Sequence, residues 1–231
     1  MPAVGPPMLE RLQQRLEGHG LSLRGGFRPE AADAVPPLAD GRPAGTLLLV
    51  GHVGGGFWSH LQAAPERHGP DPIDRWSARV LAELAAETGA EPLFPFGGPP
   101  YHPFQRWALR ADPALSVSPL GILIHPEHGL WHALRGALLL AEAVELPPPA
   151  EPQPGPCASC AGRPCLSACP VGAFSGTGFA VQACRACLGT LSGQACMIQG
   201  CLARNACPVG RERRYGSGEI QHHMRAFARG R

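Results

Sequence analysis

All nine cysteines of this 231-residue chain lie between positions 157 and 207. They form two runs, Cys157-x2-Cys160-x4-Cys165-x3-Cys169-Pro170 and Cys184-x2-Cys187-x8-Cys196-x4-Cys201-x5-Cys207-Pro208. The phrase Ala-Cys-Pro-Val-Gly closes both runs, at 168–172 and 206–210, which indicates an internal duplication. In a chain without a recognisable secretory leader, cysteines confined to one segment are typical of metal binding rather than of disulfides. We therefore expect this segment to be organised by bound metal.

The two runs resemble the motif of bacterial ferredoxins that carry two [4Fe–4S] clusters, in which three close cysteines precede a Cys-Pro that crosses to the other cluster. Here the middle spacer of the first run is one residue longer, and the second run is stretched. The resemblance implies that one cluster is held by Cys157, Cys160, Cys165 and Cys207. It implies that the second cluster is held by Cys169 and by three of Cys184, Cys187, Cys196 and Cys201. One of the nine cysteines is then spare, and the sequence does not identify it.

Zinc is the alternative occupant, since four or eight cysteines suit it equally well by number. Zinc ribbons use C-x2-C pairs without a crossing Cys-Pro, so the doubled Cys-Pro favours iron–sulfur clusters.

Composition limits the remaining possibilities. All 20 basic residues are arginine, which excludes mechanisms that depend on lysine. The formal net charge of +2 is too small to indicate a nucleic-acid surface. The longest apolar run, around Leu138–Ala141, is far shorter than a membrane span. These features predict a cytoplasmic protein that binds neither nucleic acid nor membrane.

Strand and helix patterns alternate before the cysteines. We expect a helix around Met8–Leu16, a buried strand over 46–50, a helix that is capped at Asp71 or Asp74 and ends at Gly89, and a short strand over 121–124. The segment 134–144 is apolar without enough alternation to separate helix from strand. The glycine-rich segment 51–56 matches neither the G-x-G-x-x-G spacing nor the Walker spacing of nucleotide-binding loops. This favours a turn at the strand exit over a phosphate cradle.

A proline-rich stretch, 147–156, predicts a stiff linker. The expected organisation is an α+β protein with an α/β domain over 1–146, the linker, and a small ferredoxin-like iron–sulfur domain over 157–231.

Two segments of the first domain resemble cobalamin-processing proteins of the cblC type: 101–113, which includes Tyr101-His-Pro-Phe-Gln105-Arg106, and 121–136, from Gly121 to Gly136. The run Leu123-Ile-His-Pro-Glu-His-Gly129 is also similar to epoxyqueuosine reductase, which joins such a domain to a two-cluster ferredoxin module. Reductive dehalogenases share this plan. The resemblance implies a nitroreductase-like fold that binds cobalamin with its lower base detached.

The resemblance also implies the candidate cofactor-binding residues, which are Gln105, Arg106, Gly121, His125 and Arg135. Arg135 lies in an apolar segment, so we expect it to have an anionic ligand or an acidic side chain as its partner. His128 and His132 are spaced i, i+4 but lack a third ligand, so we predict no metal site there. The acid-containing stretch and the Gly-Trp-x-Gly-Lys segment of the reductases are not recognisable, which disfavours epoxyqueuosine as the substrate.

Two functions remain open. The first is an iron–sulfur oxidoreductase, an enzyme of the cobalamin-dependent class, that reduces a base-off corrinoid or acts on a small molecule. It would have a redox partner protein and, by analogy of fold, would form a homodimer. The alternative is a ferredoxin-type electron carrier without a corrinoid, whose first domain docks a partner or binds a flavin.

Overall fold

A computed structural model describes residues 6–148, 151, 154–175 and 178–230 of the chain. The chain divides into two compact units. The first contains the residues up to Pro113 together with Ala133–Glu151, and the second contains Ala114–His132 together with Pro152–Arg231, so the division falls inside the proline-rich stretch. The segment 114–132, which the sequence placed in the first domain, thus belongs to the second unit. Residues 149, 150, 152 and 153 of the expected linker lie outside the described residues.

The first unit is built on a four-stranded sheet with the strand order β1-β2-β6-β3. These strands are β1 (Ser22–Phe27), β2 (Thr46–Val53), β3 (Glu91–Leu93) and β6 (His132–Leu140). β1 pairs antiparallel with β2, and β3 pairs antiparallel with β6 so that Glu91 lies opposite Leu139. Strand β6 resolves the ambiguous segment 134–144. Its residues 136–140 are buried, and a strand that is buried on both faces has no alternation to read.

Four helices belong to the first unit: α1 (Pro6–Glu17), α2 (Gly56–Ala63), α3 (Pro72–Thr88) and α4 (Phe104–Ala111). Helix α1 confirms the predicted helix around Met8–Leu16, and β2 extends the predicted strand through Val53. In α3 the predicted apolar stripe is buried, with Trp76 and Leu81 almost inaccessible to solvent. Replacing a leucine at such a position by alanine costs about 2–5 kcal/mol.

The two ends of α3 agree with the prediction to different degrees. Gly89 ends the helix in the left-handed region, at φ +68°, and its N–H donates to the Ala85 carbonyl. The predicted cap at the start is wrong in detail. Asp71 is the N-cap residue, but its backbone is also left-handed (φ +44°), and no side-chain capping hydrogen bond is formed.

The second unit consists of short elements. Two antiparallel pairs, β4 (Ser116–Val117) with β5 (Leu123–Ile124) and β7 (Phe174–Ser175) with β8 (Gly178–Phe179), accompany the helices α5 (Pro164–Ser167), α6 (Val181–Leu188), α7 (Gln194–Gln199), α8 (Leu202–Asn205) and α9 (Ser217–Ala228). The predicted strand 121–124 is reduced to its last two residues.

Cysteines take the place of large apolar side chains in this unit. In one of its clusters, Leu120, Ile124 and Leu130 pack with cysteines from both runs. In another, Trp131 and Tyr215 pack with residues of α9. The fold is therefore mixed α+β, as expected. Within the described residues no helix is both long and apolar enough to cross a membrane.

Candidate metal centres and cofactor site

The first group of cysteines surrounds a cavity that we call cavity one, with about 320 Å³ of atom-free space. Its cysteines are Cys157, Cys160, Cys165 and Cys207. Cys165 lies on α5, and Cys207 follows α8. Burial raises the pKa of the Cys157 thiol, and the neighbouring thiols of Cys207, Cys165 and Cys160 raise it further. Three cysteines of the first run therefore meet one cysteine of the second.

The second group surrounds cavity two, with about 340 Å³ of atom-free space, and its cysteines are Cys169, Cys184, Cys187, Cys196 and Cys201. Cys184 and Cys187 are three residues apart on α6, which puts them on one face of that helix. Burial raises the pKa of Cys184 to about 11, and its four cysteine neighbours contribute. Here one cysteine of the first run joins four of the second.

The spacing of the sulfur atoms bears on what the cavities hold. Tetrahedral zinc with Zn–S bonds of about 2.3 Å places its sulfur ligands about 3.8 Å apart. All nine cysteines are among the described residues, and no three of their Sγ atoms lie within 4.8 Å of one another. In this structure the thiols of both groups are therefore spaced more widely than the sulfur ligands of one bound zinc ion.

Backbone amides support several of the thiols around cavity two. The Ala173 N–H donates to Cys169 Sγ at 3.3 Å. Burial raises the pKa of Cys196 and of Cys201, and backbone N–H donors, among them those of Leu202 and Arg204, oppose that rise. Such N–H···S bonds stabilise thiolates and tune the potentials of bound clusters.

The walls of the two cavities differ in polarity. Arg163 lines cavity one, and Arg211 Nε donates to the Cys207 carbonyl at 3.3 Å. The walls of cavity two are apolar apart from the cysteines, and they include Val171, Phe174, Leu188, Leu202 and Met224.

A tight backbone contact joins cavity one to the segment that follows β5. Ile124 lines the cavity and directly precedes His125. Gly129, at φ +57°, lies so close to Val209 that an added Cβ would come within 2.0 Å of its carbonyl oxygen. Since Val209 follows Cys207-Pro208, the turn 125–129 packs directly against the segment that supplies the fourth cysteine of cavity one.

His125 is oriented within that turn by its own backbone. Its Nδ1 accepts hydrogen bonds from the N–H groups of Glu127 and His128, at 3.1 and 3.3 Å, so the backbone of the turn fixes the orientation of the ring. The His125 and His128 rings stack with centroids 4.2 Å apart. His125, Glu127 and His128 each place one ligand atom within 4.8 Å of the others, whereas His132 is not part of this group. Gly121 is exposed at φ +75°, and an added Cβ would meet no atom within 4 Å.

Arg135, in the first unit, has a histidine as a partner. Its Nη2 lies 3.0 Å from His52 Nε2, and its guanidinium carbon lies 4.9 Å from the centre of the Phe57 ring. Because arginine only donates, His52 Nε2 must accept, so His52 Nδ1–H donates to the Gly54 carbonyl at 2.7 Å. His52, which is fully buried, is therefore a neutral imidazole that holds Arg135. Sequence reasoning missed His52, although its position at the end of a buried strand before a glycine run was a usable signal.

The other two candidates lie on α4. Gln105 is exposed, and Arg106 Nη2 donates to the Asp33 carbonyl at 3.3 Å. The candidate cofactor residues are thus divided between the units, with Gln105, Arg106 and Arg135 in the first and Gly121 and His125 in the second. A large open cavity of the first unit, with about 1890 Å³ of atom-free space, lies between α1, β1 and the end of α4, and none of these residues lines it.

No family model and no curated protein matches the sequence. Solved structures do match the fold. The B12-trafficking protein CblC of C. elegans aligns at a TM-score of 0.54 with 14% identity, over 96% of this chain and 92% of its own. Epoxyqueuosine reductases of Bacillus subtilis and Streptococcus thermophilus align at 0.52 and 0.50, with 17% and 15% identity over 89% and 87% of this chain.

The chain spans 66% of the length of either reductase structure. The resemblance that the sequence suggested is confirmed at the level of the fold. The predicted absence of a nucleic-acid partner finds no support in these matches.

Proposed function

We propose that this chain is an iron–sulfur oxidoreductase that reduces a bound base-off corrinoid with electrons from two [4Fe–4S] clusters. The observation that carries the proposal is the pair of cysteine-lined cavities, each completed by a cysteine of the other run, with sulfur atoms spaced more widely than the ligands of one zinc ion. Clusters held in this way supply single electrons, and a corrinoid supplies the difficult bond chemistry.

Thiolates of both runs would hold the clusters. Around cavity one the four cysteines match the need of one cluster, and Arg163 with Arg211 would offset its negative charge. Around cavity two, amide donors to Cys169, Cys196 and Cys201 would stabilise the thiolate form.

The corrinoid assignment rests on three features. The fold is shared with a B12-trafficking protein over nearly its whole length. In the second unit, Ile124 of the cavity-one wall directly precedes His125, whose ring is oriented by the hydrogen bond from the Glu127 N–H to its Nδ1. Arg135, oriented by His52, presents a cation that could bind an anionic or amide edge of the corrinoid. The substrate class that follows is a corrinoid undergoing processing, or a small molecule reduced by it.

The test is an anaerobic titration of the purified protein with cob(II)alamin, followed by absorption and EPR. Saturable binding with loss of the lower base is expected. Arg135→Ala should weaken this binding by roughly 10- to 150-fold, because a charged hydrogen bond contributes about 1.5–3 kcal/mol. Arg42→Ala, which removes an exposed arginine paired with Asp40 in the same unit, is the matched control and should bind as the parent does.

Absence of binding in a protein with intact clusters would contradict the corrinoid assignment. It would leave the second candidate, a ferredoxin-type carrier whose first unit docks a partner or binds a flavin. The large open cavity favours this candidate, since none of Gln105, Arg106 and Arg135 lines it. A flavin would appear as yellow colour released after the clusters are bleached.

A further inference from the structure

The glycine-rich segment 51–56 has no ligand of its own in the proposed function, yet it carries a partner of Arg135. Its first three residues continue β2, which is the neighbour of β6 in the sheet. Gly51 is buried, and an added Cβ would come within 2.2 Å of the Ala133 carbonyl oxygen of β6. A glycine is therefore needed for the two strands to approach at this point. The next residue of β2 is His52, which meets Arg135 of β6.

The His52 ring is fixed on two sides, and one of its neighbours also packs on Arg135. The Gly54 carbonyl, at the turn into α2, accepts the hydrogen bond from His52 Nδ1–H at 2.7 Å. The centre of the Phe57 ring lies 4.3 Å from the centre of the His52 ring and 4.9 Å from the Arg135 guanidinium carbon. His52 and Phe57 are both inaccessible to solvent, so neither ring turns without repacking its neighbours. The bond of 3.0 Å from Arg135 Nη2 to His52 Nε2 therefore gives the guanidinium a defined direction.

The partner of Arg135 in this bond is uncharged. His52 donates from Nδ1 and accepts at Nε2, which is the neutral form of imidazole. A carboxylate in this position would hold the guanidinium as well and would also cancel its charge. The imidazole orients the guanidinium without cancelling its charge, and a guanidinium pairs best with the oxygens of a carboxylate or a phosphate. The bond to His52 thus prepares Arg135 for an anionic group.

We propose that His52 is a positioning residue that aims Arg135 at an anion, and that this anion is the phosphodiester of the cobalamin nucleotide tail. The inference rests on the proposed function, in which Arg135 contacts the corrinoid. The peripheral side chains of the corrin ring are amides, so the phosphodiester is the anionic group that a base-off cobalamin offers outside the ring. His52 acts through Arg135 and does not itself contact the ligand.

The experiment measures the affinity of the cluster-loaded protein for cob(II)alamin in three His52 variants. His52→Leu removes the acceptor and should weaken binding about tenfold, the lower end of the cost of losing a charged hydrogen bond. His52→Gln restores a neutral acceptor and should bind within about threefold of the parent. His52→Glu restores an acceptor but cancels the charge, so it should bind no more tightly than His52→Leu. His60→Gln, at an exposed position of α2, is the matched control and should bind as the parent does.

A second ligand separates the phosphodiester from the corrin ring. Cob(II)inamide has the same ring and amides but lacks the nucleotide tail, so His52→Leu should bind it as tightly as the parent does. In an Arg135→Ala background, His52→Leu should cause no further loss of cob(II)alamin affinity, because it acts through Arg135. An equal loss with both ligands, or parent-like binding of cob(II)alamin by His52→Leu or by His52→Glu, would overturn the proposal.

A measurement without any corrinoid keeps the pair testable even where His52→Leu fails to fold. In protein with isotope-labelled histidines, NMR should show a proton on His52 Nδ1 and none on Nε2, with the His52 signals identified by their absence from His52→Gln. A proton on Nε2 would overturn the role of His52, because such a nitrogen cannot accept from Arg135. Failure of the parent to bind cob(II)alamin, with the Nδ1 proton in place, would instead contradict the proposed function.

Discussion

The two cysteine-lined cavities come from one duplicated motif, yet their surroundings differ. Cavity one has four cysteines, with Arg163 in its wall and Arg211 on a ligand carbonyl. Cavity two has five cysteines in an apolar wall. Positive charge favours the more negative, reduced form of a cluster, and an apolar wall disfavours it. Similar ligand sets can thus produce two clusters of different reduction potential.

The largest expected effect comes from removing either of the two Cys-Pro cysteines, because each belongs to the group of the other run. Cys207→Ala should empty cavity one, and Cys169→Ala should damage cavity two, because each removes a thiol from the group of the other run. Each variant should lose up to about half of the iron, and the EPR signal lost should differ between the two. Loss of the same signal in both variants would show that the groups are assigned wrongly.

The fifth cysteine of cavity two sharpens the comparison further. Four thiolates complete a cubane, so one thiol around this cavity is dispensable. Cys184 is the expected one, because Cys187 is more deeply buried and because amide donors support Cys169, Cys196 and Cys201. Cys184→Ser should keep its iron, whereas Cys187→Ser on the same helix should lose up to about half.

Alkylation provides the control for this assignment. In the cluster-loaded protein, a thiol reagent should modify Cys184 alone, as read by mass spectrometry, and slowly unless the pH is raised, because its pKa of about 11 keeps the thiol protonated at neutral pH. Labelling of Cys187 in place of Cys184 would exchange the two roles.

The predicted difference in potential is a smaller effect. An EPR-monitored redox titration should give the cluster in cavity one a higher reduction potential than the cluster in cavity two. Arg163→Gln should lower it by on the order of 40 mV, which is on the order of 1 kcal/mol for one electron, and leave the potential of cavity two in place. Arg213→Gln, whose arginine already lies beside Glu212, should shift neither potential. Equal potentials in the parent would show that the difference between the two cavity walls does not tune the clusters.

The smallest expected effects are those of two glycine substitutions, which separate the cost of a steric collision from the cost of a left-handed backbone. Gly121→Ala meets no atom and should cost only the left-handed penalty of about 1–2 kcal/mol. Gly129→Ala carries the same penalty and also collides with the Val209 carbonyl, which adds about 1–3 kcal/mol. Thermal unfolding should therefore give Gly129→Ala the lower Tm. A Tm equal to that of Gly121→Ala would show that the contact with Val209 is not rigid.

The sequence predicted those parts of the fold in which local pattern and final environment agree. The stripe of α3 and the glycine that ends it are examples, because a helix with one buried face repeats every 3.6 residues. Strand β6 could not be told from a helix, since burial on both faces removes that signal. The Gly-rich segment before α2 was read as a turn, but its first three residues continue β2.

Only the two cysteine groups of the candidate site are predictable from the sequence. Cysteine spacing carries the metal hypothesis, whereas His52 depends on a hydrogen bond to a residue 83 positions away. The assignment of 114–132 to the second unit depends on the close approach of Gly129 to Val209, and no local pattern encodes that contact. Contacts between segments that are distant in the sequence could not be predicted from local patterns.

The crossing of the runs also has a consequence for how the protein is made. Cys157, Cys160 and Cys165 leave the ribosome well before Cys207, which completes their group. Cavity one therefore has only three of its thiols while the intervening 41 residues, 166–206, are being synthesised. Metal loading at that site must wait for nearly the whole second run, and a nascent chain arrested in between would present three reactive thiols to oxygen.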